Sequence, residues 1–215
     1  MKIEGSIALA AGTKLYYTPA ACSLAAHIVA READLAIELV KVNVVTKKTE
    51  TGDDYLKIQP RGYVPTLVSD GEVHSEVAAL VQYLAEQAPP STLLPAAGTK
   101  ERARVNEWLA FVATEVHKVF SPWLWDAKTA ESTRQAVLHK LAVRFAELDA
   151  LLATRPYLIG EAFTVADAYA FTIINWTSIL KVDLGPYPNL AAYQARVAAR
   201  PKVREALDAE RITAT

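Results

Sequence analysis

A chain of 215 residues has room for one large domain or two modest ones, and a hydrophobic fraction of 52% is enough for a substantial core. Lys and Arg number 23 against 24 Asp and Glu, a net charge of -1 that points away from nucleic acid and from an anionic membrane surface. The apolar residues are dispersed, with no run near the roughly 20 that span a bilayer.

A single cysteine can form no internal disulfide, which suits a reducing cytoplasm. The histidines His27, His74, His117 and His139 are scattered, and no Cys-x-x-Cys or His-x-x-x-His pairing suggests a metal site.

At the start, Met1 and Lys2 followed by Ile7-Ala8-Leu9-Ala10-Ala11 bear a faint likeness to a secretory signal, but Glu4 and Gly5 interrupt it. Residues 1–12 are therefore expected to be an upstream start or extension, loosely held. From Lys14 to about Ala88, strands and helices alternate. Lys14 to Tyr17 reads as a short strand, and Cys22 to Ala33 as a helix with Leu24, Ile28 and Val29 on one side. Ile37 to Val42 is β-rich and leads into a loop carrying Lys47, Lys48 and Gly52.

In Gly62-Tyr63-Val64-Pro65-Thr66-Leu67-Val68 a proline stands directly ahead of an apolar strand, where it cannot donate to a ladder. A cis Val64-Pro65 turn accounts for it, leaving the Val64 N–H and C=O free for an extended ligand. Thr66 to Ser69 and Glu72 to His74 flank Asp70-Gly71, a two-residue hairpin signal. Ser75 or Glu76 then opens a helix carrying Val77, Leu80, Val81 and Leu84. The expected order is β-α-β-α-β-β-α.

Residues 89–99, with Pro89-Pro90-Ser91-Thr92-Leu93-Leu94-Pro95, form a linker by composition. Beyond it no strand is expected. Lys100 to Phe120 keeps helical spacing through Val105, Trp108, Leu109, Val112 and Val116. Thr129 to Ala153 does the same through Val137, Leu141, Phe145, Leu148 and Leu152. Thr164 and Asp167 form a capping box with aspartate in place of the usual glutamate. The expected domains are therefore 13–88 and 100–215.

Two residues can carry chemistry. Cys22 falls at the expected N-terminus of the first helix, where free N–H groups and the helix dipole favour a thiolate. The competing reading is a small buried hydrophobe. His117, late in the long helix, has an imidazole able to accept or donate a proton near neutral pH, although a lone helical histidine is more often a surface or core residue.

The Lys14–Ser23 segment, the Val64-Pro65 turn, Ser75-Glu76 and the Thr164–Asp167 box together resemble glutathione transferases, over nearly the whole chain from Lys14 to about Ala209. The cysteine at position 22 makes the bacterial beta class the nearest likeness. The resemblance implies a thioredoxin-like α/β N-terminal domain followed by an all-α C-terminal domain. Its implied activity joins glutathione sulfur to small hydrophobic electrophiles, with glutathione as co-substrate, no other cofactor, a homodimeric assembly and a cytoplasmic location.

By the same resemblance, Cys22 either donates a hydrogen bond to the glutathione thiolate or forms a mixed disulfide with it. His117, in Glu115-Val116-His117-Lys118, is directed at the sulfur, with Lys118 adding positive charge. Lys47 would take the glycyl carboxylate, Val64 the cysteinyl backbone and Glu76 the γ-glutamyl amine, with Tyr17 and Tyr63 alongside. Val77 stands where most relatives have Ser or Gly, so only a backbone N–H would hold the γ-glutamyl carboxylate. Ala110 stands where some members carry an asparagine that reaches the partner subunit's glutathione. Phe120, Trp123 and Trp176 are expected to line the second-substrate pocket. Two further readings stand beside conjugation: thiol transfer or peroxide reduction through Cys22, and a non-catalytic binding module.

Overall fold

The computed structural model describes residues 9–89 and 91–212. Its centre is the short strand β1 (Lys14–Tyr17), paired in parallel with β2 (Glu38–Asn43) and antiparallel with β4 (Thr66–Ser69). Leu15 and Leu67 face each other in this register and are fully buried, which is why the innermost strands read as apolar runs. The strand β5 (Glu72–Ser75) adds at one edge and the two-residue β3 (Lys48–Thr49) at the other, giving the order β3-β2-β1-β4-β5. Asp70 and Gly71 both take positive φ, 51° and 77°, as a type I′ hairpin requires.

The helix α1 (Leu24–Glu32) buries Leu24, Ile28 and Val29 as its spacing predicts, and starts two residues later than expected. It packs on α2 (Val77–Glu86) and on two helices of the C-terminal half, so the turn ahead of it lies where the halves meet. The second helix expected in the β-α-β-α order is only a 3-10 turn, Tyr55–Lys57. Gly52, Asp53 and Asp54 offer no apolar stripe there. Instead the segment is pinned by one buried side chain, Tyr55, whose hydroxyl bridges the Tyr63 carbonyl and the Thr66 hydroxyl at 2.7 Å each.

Beyond the linker the described residues are helical: α3 (Lys100–Phe111), a π-helical stretch Val112–His117, α4 (Lys118–Phe120), α5 (Glu131–Leu152), α6 (Val165–Ile174), α7 (Trp176–Leu180), α8 (Pro188–Ala198) and α9 (Pro201–Glu210). The sheet domain followed by helices is the expected fold class. Every residue of α6 is buried, so this helix is the axis of the second half. Asp167 sets its start. The carboxylate accepts from the Thr164 N–H at 2.8 Å, the Thr164 hydroxyl and the Leu158 N–H at 2.9 Å, and the Tyr193 hydroxyl at 3.2 Å.

The linker is more than a spacer. Leu93 and Leu94 are buried, and the Leu93 carbonyl receives the Val165 N–H at 3.0 Å. The first eight residues of the expected loose extension 1–12 lie outside the described residues. Of the rest, Leu9 packs against the core and the Ala10 carbonyl receives the Thr13 hydroxyl at 2.7 Å, so this part is tied down.

Candidate functional site

The first wall of the site is the turn that leads from β1 into α1. Cys22 lies two residues ahead of the helix and donates its Sγ–H to the Val64 carbonyl at 3.2 Å. The Val64-Pro65 bond is cis, as expected. Burial works against the expected thiolate, pushing the Cys22 thiol up to about 12. Backbone N–H groups of Cys22 and Ser23 and the charge of Lys118 pull the other way without prevailing. The helix dipole is present, but loss of water around the sulfur outweighs it.

The turn itself is clamped from far along the chain. Ala20, with φ of 61°, donates its N–H to Glu210 Oε2 at 3.2 Å and receives the Trp176 indole N–H on its carbonyl at 2.7 Å. The other Glu210 oxygen meets His27 Nδ1 at 2.9 Å, while His27 Nε2 accepts from Arg31 Nε at 3.2 Å, so the imidazole proton lies on Nδ1 and donates to Glu210. Burial raises the Glu210 carboxyl, against the bonds from His27 and Ala20. Ser23 closes the turn by bonding both the N–H and the carbonyl of Thr18 at 3.2 Å.

The second wall is the π-helical stretch, whose wider turn resets the phase of the helix before Lys118. His117 Nδ1 lies 2.6 Å from the Tyr169 hydroxyl of α6. Its ring also stands edge-on to Trp176, 5.2 Å between centroids. Burial, then the Lys118 charge, lowers the imidazole to about 4, so His117 is neutral at physiological pH. Burial likewise raises the Tyr169 hydroxyl, aided by the charge of Glu76 and by the Cys22 sulfur once it ionises. Glu115 turns away to Arg144 at 2.7 Å and Lys140 at 3.4 Å on α5, which anchors the stretch and lowers its own carboxyl.

Trp176 joins the walls, since its indole holds Ala20 while its ring packs on His117. The turn that carries Cys22 and the stretch that carries His117, distant in sequence, thus share one neighbour.

The loop that ends at Val64, which takes the Cys22 thiol, and the start of α2 carry several of the other sequence-derived residues. Lys47 donates to the Gly62 carbonyl at 2.9 Å and lies 6.0 Å from the ring centre of Tyr63, itself 65% exposed. Gly62 has φ of 63°, and a Cβ there would come within 2.8 Å of the Lys47 stem. Glu76, at the start of α2, holds φ of 71°, unusual for a residue with a side chain, and its exposed carboxylate pairs with Arg61 at 3.2 Å. Arg61 carried no motif and was not legible beforehand. Val77 is 5% exposed and packs in the core, so its side chain does not face the surface that Glu76 occupies.

Three expected placements need correction. Tyr17 alternates away from Tyr16 on β1 and keeps company with His27, at 6.4 Å between ring centres, and with the charge of Glu210, whose effect follows burial in raising its hydroxyl. Phe120 is fully buried against Phe145 and Trp176, a core residue rather than a pocket wall. Trp176 is also buried, with its N–H engaged. Trp123 is 46% exposed and free to line a pocket. Trp125, missed beforehand, is 44% exposed and stands edge-on to Trp176 at 5.3 Å. Trp123 and Trp125 follow the cis Ser121-Pro122 bond, beyond the helical repeat that phase arguments use.

Comparison with known proteins gives a consistent picture. Residues 15–92 match the family model of the glutathione S-transferase N-terminal domain, and residues 111–201 that of the C-terminal domain. Glutathione S-transferase GstA of Escherichia coli O157:H7 is 39% identical over 198 residues, covering 92% of this chain and 98% of the relative. A beta-class glutathione S-transferase of Sphingomonas chungbukensis superposes with a TM-score of 0.88 at 40% identity, covering 93% of this chain and 100% of that one. A sphingomonad glutathione S-transferase complexed with glutathione gives the same TM-score, identity and coverage.

Proposed function

The chain belongs to the glutathione S-transferase family, as a bacterial beta-class-like glutathione transferase, and from that premise we propose that its cleft activates glutathione with neutral hydrogen-bond donors. The observation that carries this reading is the shared neighbour: Trp176 bonds the turn of Cys22 at 2.7 Å and packs against His117. Both groups are held uncharged by burial, Cys22 near 12 and His117 near 4. Neither is suited to take a proton at neutral pH, and both are suited to donate one into a hydrogen bond.

In this mechanism the glutathione thiol releases its proton to water. The Cys22 thiol swings from the Val64 carbonyl and, with His117, donates to the resulting thiolate. Val64 is then free to pair its backbone with the cysteinyl part of glutathione. Lys47 supports the glycyl carboxylate, with Tyr63 beside it. Glu76 receives the γ-glutamyl amine in exchange for Arg61, and the Val77 N–H at the start of α2 donates to the carboxylate. The thiolate lone pair forms the new carbon–sulfur bond, and the leaving group departs with its electron pair. Small hydrophobic electrophiles are the second substrate, set against Trp123 and Trp125, with Lys118 at the margin. The reaction serves detoxification.

The raised Cys22 thiol disfavours thiol transfer or peroxide reduction as the main activity, since both need a thiolate. A reducing cytoplasm is the natural location for a chain whose lone cysteine must stay reduced, and among the described residues no helix is long and apolar enough to cross a membrane. A homodimer would cover the edge strand β5, unpaired on its outer side among the described residues, where Val73 is half exposed.

The test is kinetics of conjugation and of thiol transfer for the native protein, Cys22→Ala, His117→Ala and the double variant, read as a cycle. Each single variant keeps part of the conjugating activity and the double loses more than either, while any thiol transfer disappears with Cys22→Ala. Full conjugation in the double variant would contradict the assignment. Light scattering that gave the mass of one chain would remove the dimer.

A further inference from the structure

We propose that Tyr169 is a positioning residue: its hydroxyl donates to His117 Nδ1 and thereby fixes His117 as an Nε2–H donor toward the sulfur of bound glutathione. This rests on the reading of His117 given above and assigns a role to a residue that carried no motif.

The number of protons on the pair fixes the tautomer. The Tyr169 hydroxyl has one hydrogen-bond partner among the described residues, His117 Nδ1 at 2.6 Å. A phenolic hydroxyl carries one proton, and in a buried place that proton needs an acceptor. If His117 carried its proton on Nδ1, that N–H would donate to the tyrosine oxygen and the tyrosine O–H would be left with nothing to bond. With the proton on tyrosine, Nδ1 is the acceptor and both groups are satisfied by a single bond. A neutral imidazole with Nδ1 bare carries its hydrogen on Nε2.

The surroundings hold this arrangement in place. Tyr169 stands in the fully buried α6, two residues after Asp167, whose four accepted bonds fix where that helix begins. The two rings cross edge-to-face, 5.8 Å between centroids at 87°. Trp176 closes on the imidazole at 74°, which leaves little room for it to flip. Burial keeps the histidine unprotonated and the phenol protonated, so both remain neutral across the working range. The charged or titratable groups acting on the pair are Lys118 on the histidine, and Cys22 and Glu76 on the tyrosine.

The chemical consequence is definite. His117 cannot act as a general base through Nδ1, which already accepts the tyrosine proton, nor through Nε2, which already bears one. The thiol proton goes to water, and the Nε2–H steadies the negative charge left on sulfur until the lone pair is used in the carbon–sulfur bond.

Two measurements test this. In two-bond proton–nitrogen spectra of the ligand-free, histidine-labelled protein, assigned by the signals that His117→Ala removes, His117 should show a protonated Nε2 and a bare Nδ1. Tyr169→Phe, which keeps the ring and removes the donor, should shift the population toward the other tautomer. A protonated Nδ1 in the native protein would overturn the proposal. The second measurement is titration of the bound glutathione thiol by thiolate absorbance. Tyr169→Phe should raise its pKa by about half a unit, roughly a threefold loss of thiolate below the midpoint. An unchanged titration in Tyr169→Phe beside a raised one in His117→Ala would overturn the proposal while leaving the site intact. An unshifted titration in His117→Ala would overturn the site reading and this proposal with it, whatever the tautomer.

Discussion

The two walls of the cleft reach the same electrostatic result by different construction. The Cys22 wall is a turn with little structure of its own, held by groups from the far end of the chain: Glu210 and Trp176 on Ala20, with Val64 receiving the thiol. The His117 wall is a continuous helix, distorted by a π-turn and steadied from its own domain by Tyr169 and by the Glu115–Arg144 pair. Yet burial drives both reactive groups to their uncharged forms, the thiol upward and the imidazole downward. A helix terminus contributes about half a charge, and its effect fades within a turn. Removing water from a sulfur or an imidazole acts on the whole charge. Position at a helix start does not by itself make a reactive cysteine.

The largest effect should be seen in the ionisation of Cys22. With its thiol near 12 rather than the ordinary 9.0, about a thousandfold less thiolate is present at neutral pH. Alkylation of the ligand-free protein should therefore be slow, and its rate should still climb about tenfold per pH unit near pH 9. A plateau below about pH 8 would show a thiolate after all, and the walls would no longer be alike.

Next in size is loss of the support behind His117. Asp167→Ala takes the acceptor from the Leu158 N–H and from the Thr164 N–H and hydroxyl, while the Tyr193 hydroxyl keeps the residue 167 carbonyl at 3.3 Å. It should cost about 3–5 kcal/mol in urea unfolding. A cost below about 1 kcal/mol would mean that α6 is held by packing alone.

The Cys22 wall should give way more mildly. Glu210→Ala removes the acceptor for both the Ala20 N–H and His27, at about 1–3 kcal/mol of stability. It should raise KM for glutathione while leaving the His117 nitrogen spectrum unchanged. A changed spectrum would show that the walls are not independent. The smallest effect belongs to their common neighbour. Trp176→Phe retains a ring beside His117 and loses the bond to Ala20, about 1 kcal/mol by thermal or urea unfolding. No measurable loss would show that this bond does not hold the turn.

These contrasts also explain what the sequence disclosed. The hairpin was legible because Asp70-Gly71 is a local signal, and α6 because Thr164 and Asp167 lie three residues apart. Cys22 and His117 were legible as residue types within short motifs. Their partners were not, because Tyr169, Glu210 and Trp176 approach from other elements, 52, 190 and 156 residues from the groups they bond. The protonation states were hidden for the same reason: the helix dipole can be read along the chain, whereas burial exists only after the halves pack together. Val77 shows the limit at a single position, since its place in a motif suggested a ligand contact that its packing in the core denies to the side chain. The second helix of the sheet domain failed differently, because Tyr55 replaces it with one anchoring side chain that no periodicity announces.

The central claim is that two neutral donors, one on each wall, stabilise the glutathione thiolate. The decisive measurement is titration of the thiol of glutathione bound to the native protein, Cys22→Ala, His117→Ala and the double variant. The native protein should hold the thiol pKa well below that of free glutathione, with a partial rise in each single variant and a return close to the free value in the double. A double variant whose bound thiol titrates like that of the native protein would contradict it.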